Sequence, residues 1–284
     1  MNDSIRNVGF IGLGRMGNPM AINILNAGFG LTVFDSRAQP ISELVGFGAC
    51  AAKSAREVAE AADLIAIAVV DDAQVEAVCG GDRGALEGSR AGAIMAIHST
   101  VYPETVTKLA KLAEAKHVRV IDSPVSGGEI GAREKSLCYM VGGELAALER
   151  CREVFSTSAS EIFHMGALGN GAAAKMIVQV VTCINMLGAH EAETLAERSG
   201  LDFAKLQKVL HVSSAQSFVT DNWLQRFKLA QDPMEVRRRR TQVFQKSLAP
   251  AIEAARQMGL SLPGADLVER LLPQIMGTED SDSG

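Results

Sequence analysis

The chain has 284 residues, of which 47% are hydrophobic, 21% charged and 5% aromatic, with a net charge of −5. This length suits two domains with cores of their own, and the alanine- and glycine-rich composition fits a helix-rich α/β enzyme, not a disordered or disulfide-stapled chain. The acidic balance, with no basic and aromatic platform, argues against nucleic acid as a general partner. Five scattered cysteines (Cys50, Cys79, Cys138, Cys151, Cys183) form no CxxC pair and no zinc-spaced cluster. Free thiols in a reducing cytoplasm and no metal are therefore expected.

Short apolar runs at Val8–Ile11, Leu31–Phe34, Leu64–Val69, Ile94–Ile97 and Val118–Ile121 alternate with amphipathic stretches, which predicts a parallel sheet covered on both faces. Ser54-Ala-Arg-Glu57 reads as a capping box, and Pro103 suits the first turn of a helix. Cys138–Val141 and Ile162–His164 are expected to complete the sheet. From Gly169 the strand signals stop. Gly171–Arg198, Phe203–Val212, Phe218–Leu229 and Ser247–Met258 read as helices, with Gly200 and Gly259 as stops, and Thr278–Gly284 as a frayed tail.

The expected fold is thus an α/β Rossmann domain (1–165) followed by an all-α domain (166–284), joined by a long interdomain helix. That helix is apolar from Gly171 to Ala189 but is interrupted by Lys175, Gln179, Thr182 and Asn185, so it reads as a buried helix and not a membrane span. No signal-peptide pattern is seen, and a soluble cytoplasmic protein is expected. The apolar surface of this helix exceeds what one small domain easily buries, which points to a homodimer or homotetramer.

Gly12-Leu13-Gly14-Arg15-Met16-Gly17 follows a strand directly and opens a helix, the setting that gives a GxGxxG motif its meaning. Gly12 permits the turn, Gly14 admits a pyrophosphate to the backbone, Gly17 lets helix pack on strand, and the helix N-terminus favours the anion. Asp35 ends the second strand 18 residues after Gly17. A carboxylate there accepts from ribose hydroxyls and repels a 2′-phosphate, favouring NAD, although Arg37 nearby could contact a phosphate.

Three segments in this order, Gly-Leu-Gly-Arg-Met-Gly, Asp122-Ser-Pro-Val-Ser-Gly-Gly-Glu129 and Gly169-Asn-Gly-Ala-Ala-Ala-Lys175, together resemble the β-hydroxyacid dehydrogenase family. His98-Ser-Thr100, Met140-Val-Gly-Gly143 and Gln245-Lys-Ser-Leu248 echo it. Ser126, Gly127 and Gly128 offer a hydroxyl and backbone N–H groups that could cradle a substrate carboxylate. Lys175, Gln179 and Thr182, spaced i, i+4, i+7, share a helix face. By periodicity alone Lys175 could simply snorkel to solvent. The resemblance makes it the general acid/base, with a pKa that burial and the helix N-terminus would lower. It also implies that Val69, Thr100 and Lys246 touch the cofactor, and that Gln179 helps to bind a small carboxylate-bearing substrate.

The chain departs from the family pattern at Gln179, where Asn is common, and at Ser247, where Asp is usual. It departs again at Arg237–Arg240, a run read as a solvated face or as an intrusion into the cleft. His98 is expected to be structural, and Ser217, Asn222 and Trp223 are weak candidates for substrate contact. A reductase of another carbonyl or imine substrate, or a non-catalytic dinucleotide-binding module, remain as alternatives.

Overall fold

The computed structural model describes residues 4–227 and 232–279. The last residues of the stretch expected to be helical up to Leu229, and residues 280–284 of the expected tail, lie outside the described residues. Contacts divide the chain between Lys175 and Met176, beyond the expected boundary at 165.

The first unit holds the strands β1 (Asn7–Ile11), β2 (Gly30–Phe34), β3 (Cys50–Ala51), β4 (Leu64–Ile67), β5 (Ile94–Ile97), β6 (Arg119–Asp122), β7 (Val125–Ser126), β8 (Leu137–Gly142) and β9 (Ala159–Gly166). Its helices are α1 (Gly17–Asn26), α2 (Ala38–Gly46), α3 (Ala55–Glu60), α4 (Asp72–Cys79), α5 (Ala85–Gly88), α6 (Pro103–Glu114), α7 (Gly128–Arg133) and α8 (Leu145–Phe155). The nine strands form one sheet in the order β3-β2-β1-β4-β5-β6-β8-β7, with β9 beside β8. The first six are parallel. β8 runs antiparallel to β6 and meets it only at Asp122 and Gly142, a reversal that the apolar runs did not reveal.

Alternate residues of each central strand enter opposite cores. Phe10, Leu64, Ala66, Ile94 and Ala96 face one layer, and Ile11, Ile65, Ile67, Met95 and Ile97 the other. Burial on both faces explains why these strands are continuous apolar runs without polar alternation. Each large side chain so buried contributes roughly 1.5–3 kcal/mol. Local signals also hold. Ser54 Oγ accepts from the Glu57 N–H at 3.2 Å, while Glu57 reaches back to the Lys53 N–H at 2.8 Å, one residue earlier than a standard box. Pro103 opens α6.

α9 (Asn170–Arg198) leaves the first unit and continues into the second, which adds α10 (Phe203–His211), α11 (Phe218–Asp221), α12 (Met234–Gln257) and α13 (Pro263–Ile275). By length and composition α9 could cross a membrane. One of its faces, Cys183, Met186 and Ala189, lies in the core with Trp223, Leu248 and Leu272. α11 gives way to a π-helical turn at Trp223–Phe227. α12 begins at Met234, well before the expected Ser247, and runs through Pro250, whose ring has no N–H for the Lys246 carbonyl. Gly200 and Gly259 adopt φ +71° and +72°, left-handed stops as expected.

Arg237 donates to the Gly277 carbonyl at 2.8 Å, and Arg240 donates to the Arg226 carbonyl. Both therefore tie α12 to other parts of the second unit, and Arg238 and Arg239 are exposed. Trp223 is 1% exposed and its indole donates to Glu193 at 2.9 Å. Ser217 caps α11, and Asn222 donates to the Phe218 carbonyl at 2.9 Å. All three weak substrate candidates have structural jobs.

Candidate active site

The carboxyl ends of the parallel strands are stitched in sequence. The Gly12 N–H donates to the Phe34 carbonyl at 2.9 Å, Ala68 to Ile11 at 2.9 Å, His98 to Ile67 at 2.8 Å and Ser123 to Ile97 at 2.8 Å. One sheet edge thereby collects Gly12, Asp35, Val69, Thr100 and the segment leading to Ser126, and ligands of open α/β sheets bind at this edge. Val69 is fixed further by its N–H donating to Ser99 Oγ at 2.9 Å.

The glycine loop has the shape that a dinucleotide needs. Gly12 sits at φ +93°, and a Cβ there would lie 2.5 Å from the Ala68 carbonyl oxygen. A Cβ on Gly17 would lie 1.9 Å from the Gly12 carbonyl oxygen, whereas one on Gly14 would meet nothing within 4 Å. Two glycines are thus required by the protein's own packing. The third faces open space, and its missing side chain leaves room for a pyrophosphate. These residues fit the group.

Asp35 Oδ2 accepts from the Leu13 N–H at 2.7 Å, which joins the ribose-side carboxylate to the phosphate loop. Arg37 donates to both Asp35 oxygens, through Nε at 2.9 Å and Nη2 at 3.1 Å. Burial pushes the Asp35 carboxyl up, but the Arg37 and Leu13 hydrogen bonds overcome this and hold it below its usual value. Arg37, a possible phosphate ligand by sequence, is engaged with Asp35.

Ser126 ends β7, opposite Cys138 of β8. Gly127 (φ +132°) and Gly128 (φ +65°) turn the chain into α7, whose N-cap supplies no side chain to its first N–H groups. Lys175 is half-buried and close enough to Cys138 to favour its thiolate. Burial, with Glu161, outweighs this and pushes the thiol up.

Sequence reasoning missed the residue that holds this geometry. Asp122, fully buried, accepts from the Gly169 N–H at 2.8 Å and the Ala172 N–H at 2.7 Å. Its carboxylate caps α9 from the end of β6. Burial pushes this carboxyl up, against the lowering effect of those N–H groups. A Cβ on Gly171 would lie 2.4 Å from the Met140 carbonyl oxygen, and one on Gly142 would lie 2.5 Å from Asp122 Oδ1. Only glycine lets the helix start this close to the sheet.

His98 is buried, with Nδ1 2.9 Å from the Ser123 carbonyl, and burial lowers its pKa to about 4. It packs edge-on against Tyr139 and Phe155, a structural role.

Gln179 and Lys246 belong to the second unit. Gln179 is buried, with Nε2 3.8 Å from Cys183 Sγ, and Lys246 is exposed on α12. Thr182 and Ser247 turn their hydroxyls onto their own helices, to Val178 and Val243, each at 2.8 Å.

Residues 7–166 match the family described as the NAD binding domain of 6-phosphogluconate dehydrogenase. Residues 169–283 match the NAD-binding family of NADP-dependent 3-hydroxyisobutyrate dehydrogenase. The chain belongs to the β-hydroxyacid dehydrogenase family. It is an NAD(P)-dependent dehydrogenase. It is 36% identical to an uncharacterized oxidoreductase of Mycobacterium tuberculosis (strain CDC 1551), over 97% of this chain and 95% of the other. It is 33% identical to the 2-(hydroxymethyl)glutarate dehydrogenase of Eubacterium barkeri, over 93% and 86%. Among solved structures, the 3-hydroxyisobutyrate dehydrogenase of Mycobacterium tuberculosis with L-serine superimposes with a TM-score of 0.81 at 26% identity, covering 96% of this dehydrogenase and 94% of the other.

Proposed function

We propose that this dehydrogenase interconverts a β-hydroxyacid and its semialdehyde or keto form, with NAD preferred over NADP and Lys175 as general acid/base. The supporting observation is that the Asp122 carboxylate, at the end of β6 and four residues before Ser126, accepts from the Gly169 and Ala172 N–H groups at the start of α9, the helix that carries Lys175. A lysine and a hydroxyl so placed can serve two ends of one small molecule. Lys175 takes the proton from the substrate hydroxyl or returns it. Ser126, with the backbone of Gly127 and Gly128, holds the carboxylate and fixes which carbon faces the cofactor. The bound nicotinamide supplies hydride acceptance and donation. Gly12, Gly14, Gly17 and the first turn of α1 hold the pyrophosphate, and Asp35 the ribose, with Val69, Thr100 and Lys246 as further cofactor contacts. Gln179 stands one turn beyond Lys175 on α9, and its longer amide reshapes the pocket relative to members with Asn.

Relatives named for 2-(hydroxymethyl)glutarate and 3-hydroxyisobutyrate support a choice of small β-hydroxyacids as candidate substrates. A panel of such acids with NAD or NADP, followed by nicotinamide absorbance, tests the reading. Turnover of at least one acid, faster with NAD, is expected. Tight NADH binding without turnover of any panel member would leave a binding module instead.

Asp35→Ser should narrow the NAD preference by about tenfold or more, the effect of roughly one charge-assisted hydrogen bond at 1.5–3 kcal/mol. It removes the ribose acceptor and frees Arg37 to meet a 2′-phosphate. Kd values for NADH and NADPH, compared by titration, check this, and an unchanged ratio would place the selectivity elsewhere.

Ile177, Val181 and Ile184 are 66%, 53% and 41% exposed along one stripe of α9. Such a stripe supports assembly as a homodimer or homotetramer, in the cytoplasm where the five cysteine thiols would stay reduced.

A further inference from the structure

The glycine loop and the Ser126–Gly128 loop lie far apart in sequence but are tied together at two points. Arg15, inside the glycine loop, donates from Nε to Glu129 Oε2 at 2.7 Å. Glu129 directly follows Gly128, and its other oxygen accepts from Arg133 Nη2 at 2.9 Å. Six residues beyond the start of α1 at Gly17, Asn23, 6% exposed, donates to the Ala132 carbonyl at 2.7 Å. The helix that begins at the phosphate loop thus carries α7 along its length. Burial pushes the Glu129 carboxyl up, but Arg15 and Arg133 outweigh it and keep the group ionised. Between the ties and Ser126 stand two glycines at positive φ, and glycine is the residue whose backbone loses most freedom when it is fixed. An untied Gly-Gly turn would wander.

The geometry points to Glu129 as a positioning residue: clamped by Arg15 and Arg133, it makes the order of the Ser126–Gly128 loop depend on the order of the dinucleotide loop. This inference rests on the proposed reading of Ser126–Gly128 as the carboxylate cradle. Glu129 itself is not a substrate ligand, because its charge is spent on two guanidinium groups and would repel an anion. Arg15 is the shared part, since its own backbone belongs to the phosphate-binding turn. Occupancy of that turn by a dinucleotide stiffens Arg15, and through Glu129 it stiffens the cradle before the acid arrives.

Hydrogen–deuterium exchange of residues 125–133, with and without saturating NADH, tests this on the whole chain. In the wild type NADH should slow exchange there several-fold. Glu129→Gln should lose that protection while NADH still binds in calorimetry, and Arg15→Lys, which keeps the ion pair, should retain it. With an acid that is turned over, Glu129→Gln should raise KM about tenfold and move kcat far less. Arg15→Gln/Glu129→Gln should be no worse than the worse single variant. Protection that survives in Glu129→Gln, protection absent from the wild type, additive losses in the double variant, or loss of NADH binding in Glu129→Gln would each overturn the coupling. If no β-hydroxyacid is turned over, the proposed function fails, but the exchange result still decides whether the two loops are linked.

Discussion

Lys175→Ala is expected to lower kcat by about 10²–10⁴-fold, the usual weight of a general acid/base, while the fold and NADH binding persist. Persistence of the fold follows from the local structure. Lys175 is half-buried, alanine is the better helix former, and the groups that anchor α9 are the Asp122 carboxylate and backbone N–H groups. The loss should fall on kcat more than on KM, because proton transfer is needed in the transition state and not in the bound ground state. The wild-type pH profile should lose one ionisation in the variant. Steady-state rates with the best acid of the panel, together with NADH calorimetry, make the measurement. Turnover within a few-fold of wild type would move the proton-transfer role to another group.

Asp122→Ala should cost about 2–6 kcal/mol of stability in the first unit and abolish most turnover. The estimate counts two buried N–H donors, of Gly169 and Ala172, left unpaired at roughly 1–3 kcal/mol each. Asp122→Asn keeps one acceptor oxygen but turns an NH₂ group toward one of those donors, so its loss should be smaller though not small. In both variants the first turn of α9 loses its anchor, and Lys175, one turn further on, loses its place. Urea unfolding reported by circular dichroism gives the stability change. A loss below about 1 kcal/mol would mean that the helix start is held by packing alone.

The parts of the site that were legible in the sequence are those encoded by neighbours in the chain. Gly12, Gly14 and Gly17 announce a backbone shape within six residues, and Asp35 ends a strand whose apolar pattern marks it. The long helix was readable because polar residues interrupt an apolar run at helical spacing, whereas Lys175 was singled out by the family resemblance and not by periodicity. Asp122 was quoted only as part of a motif. Its work as a cap joins residues 47 and 50 positions apart, and no local pattern carries that. The reversed strand β8 went unseen for a similar reason, because direction is set by connection and not by composition. α12 was placed too short because Pro250 and the arginines mimic a boundary, although Arg237 and Arg240 pair within the second unit. Trp223 was a weak candidate for substrate contact because relatives place pocket residues in that segment, and its burial against Glu193 makes it part of the scaffold.

The crowding of Asp122, Gly142 and Gly171 has a consequence for anyone reshaping the substrate range of this protein. The three side-chain positions share a single small volume, filled by the Asp122 carboxylate. They behave as one three-letter word spelled across distant stretches of chain. A mutagenesis library that varies them one at a time will return misfolded clones at each position, and will make the neighbourhood look immutable.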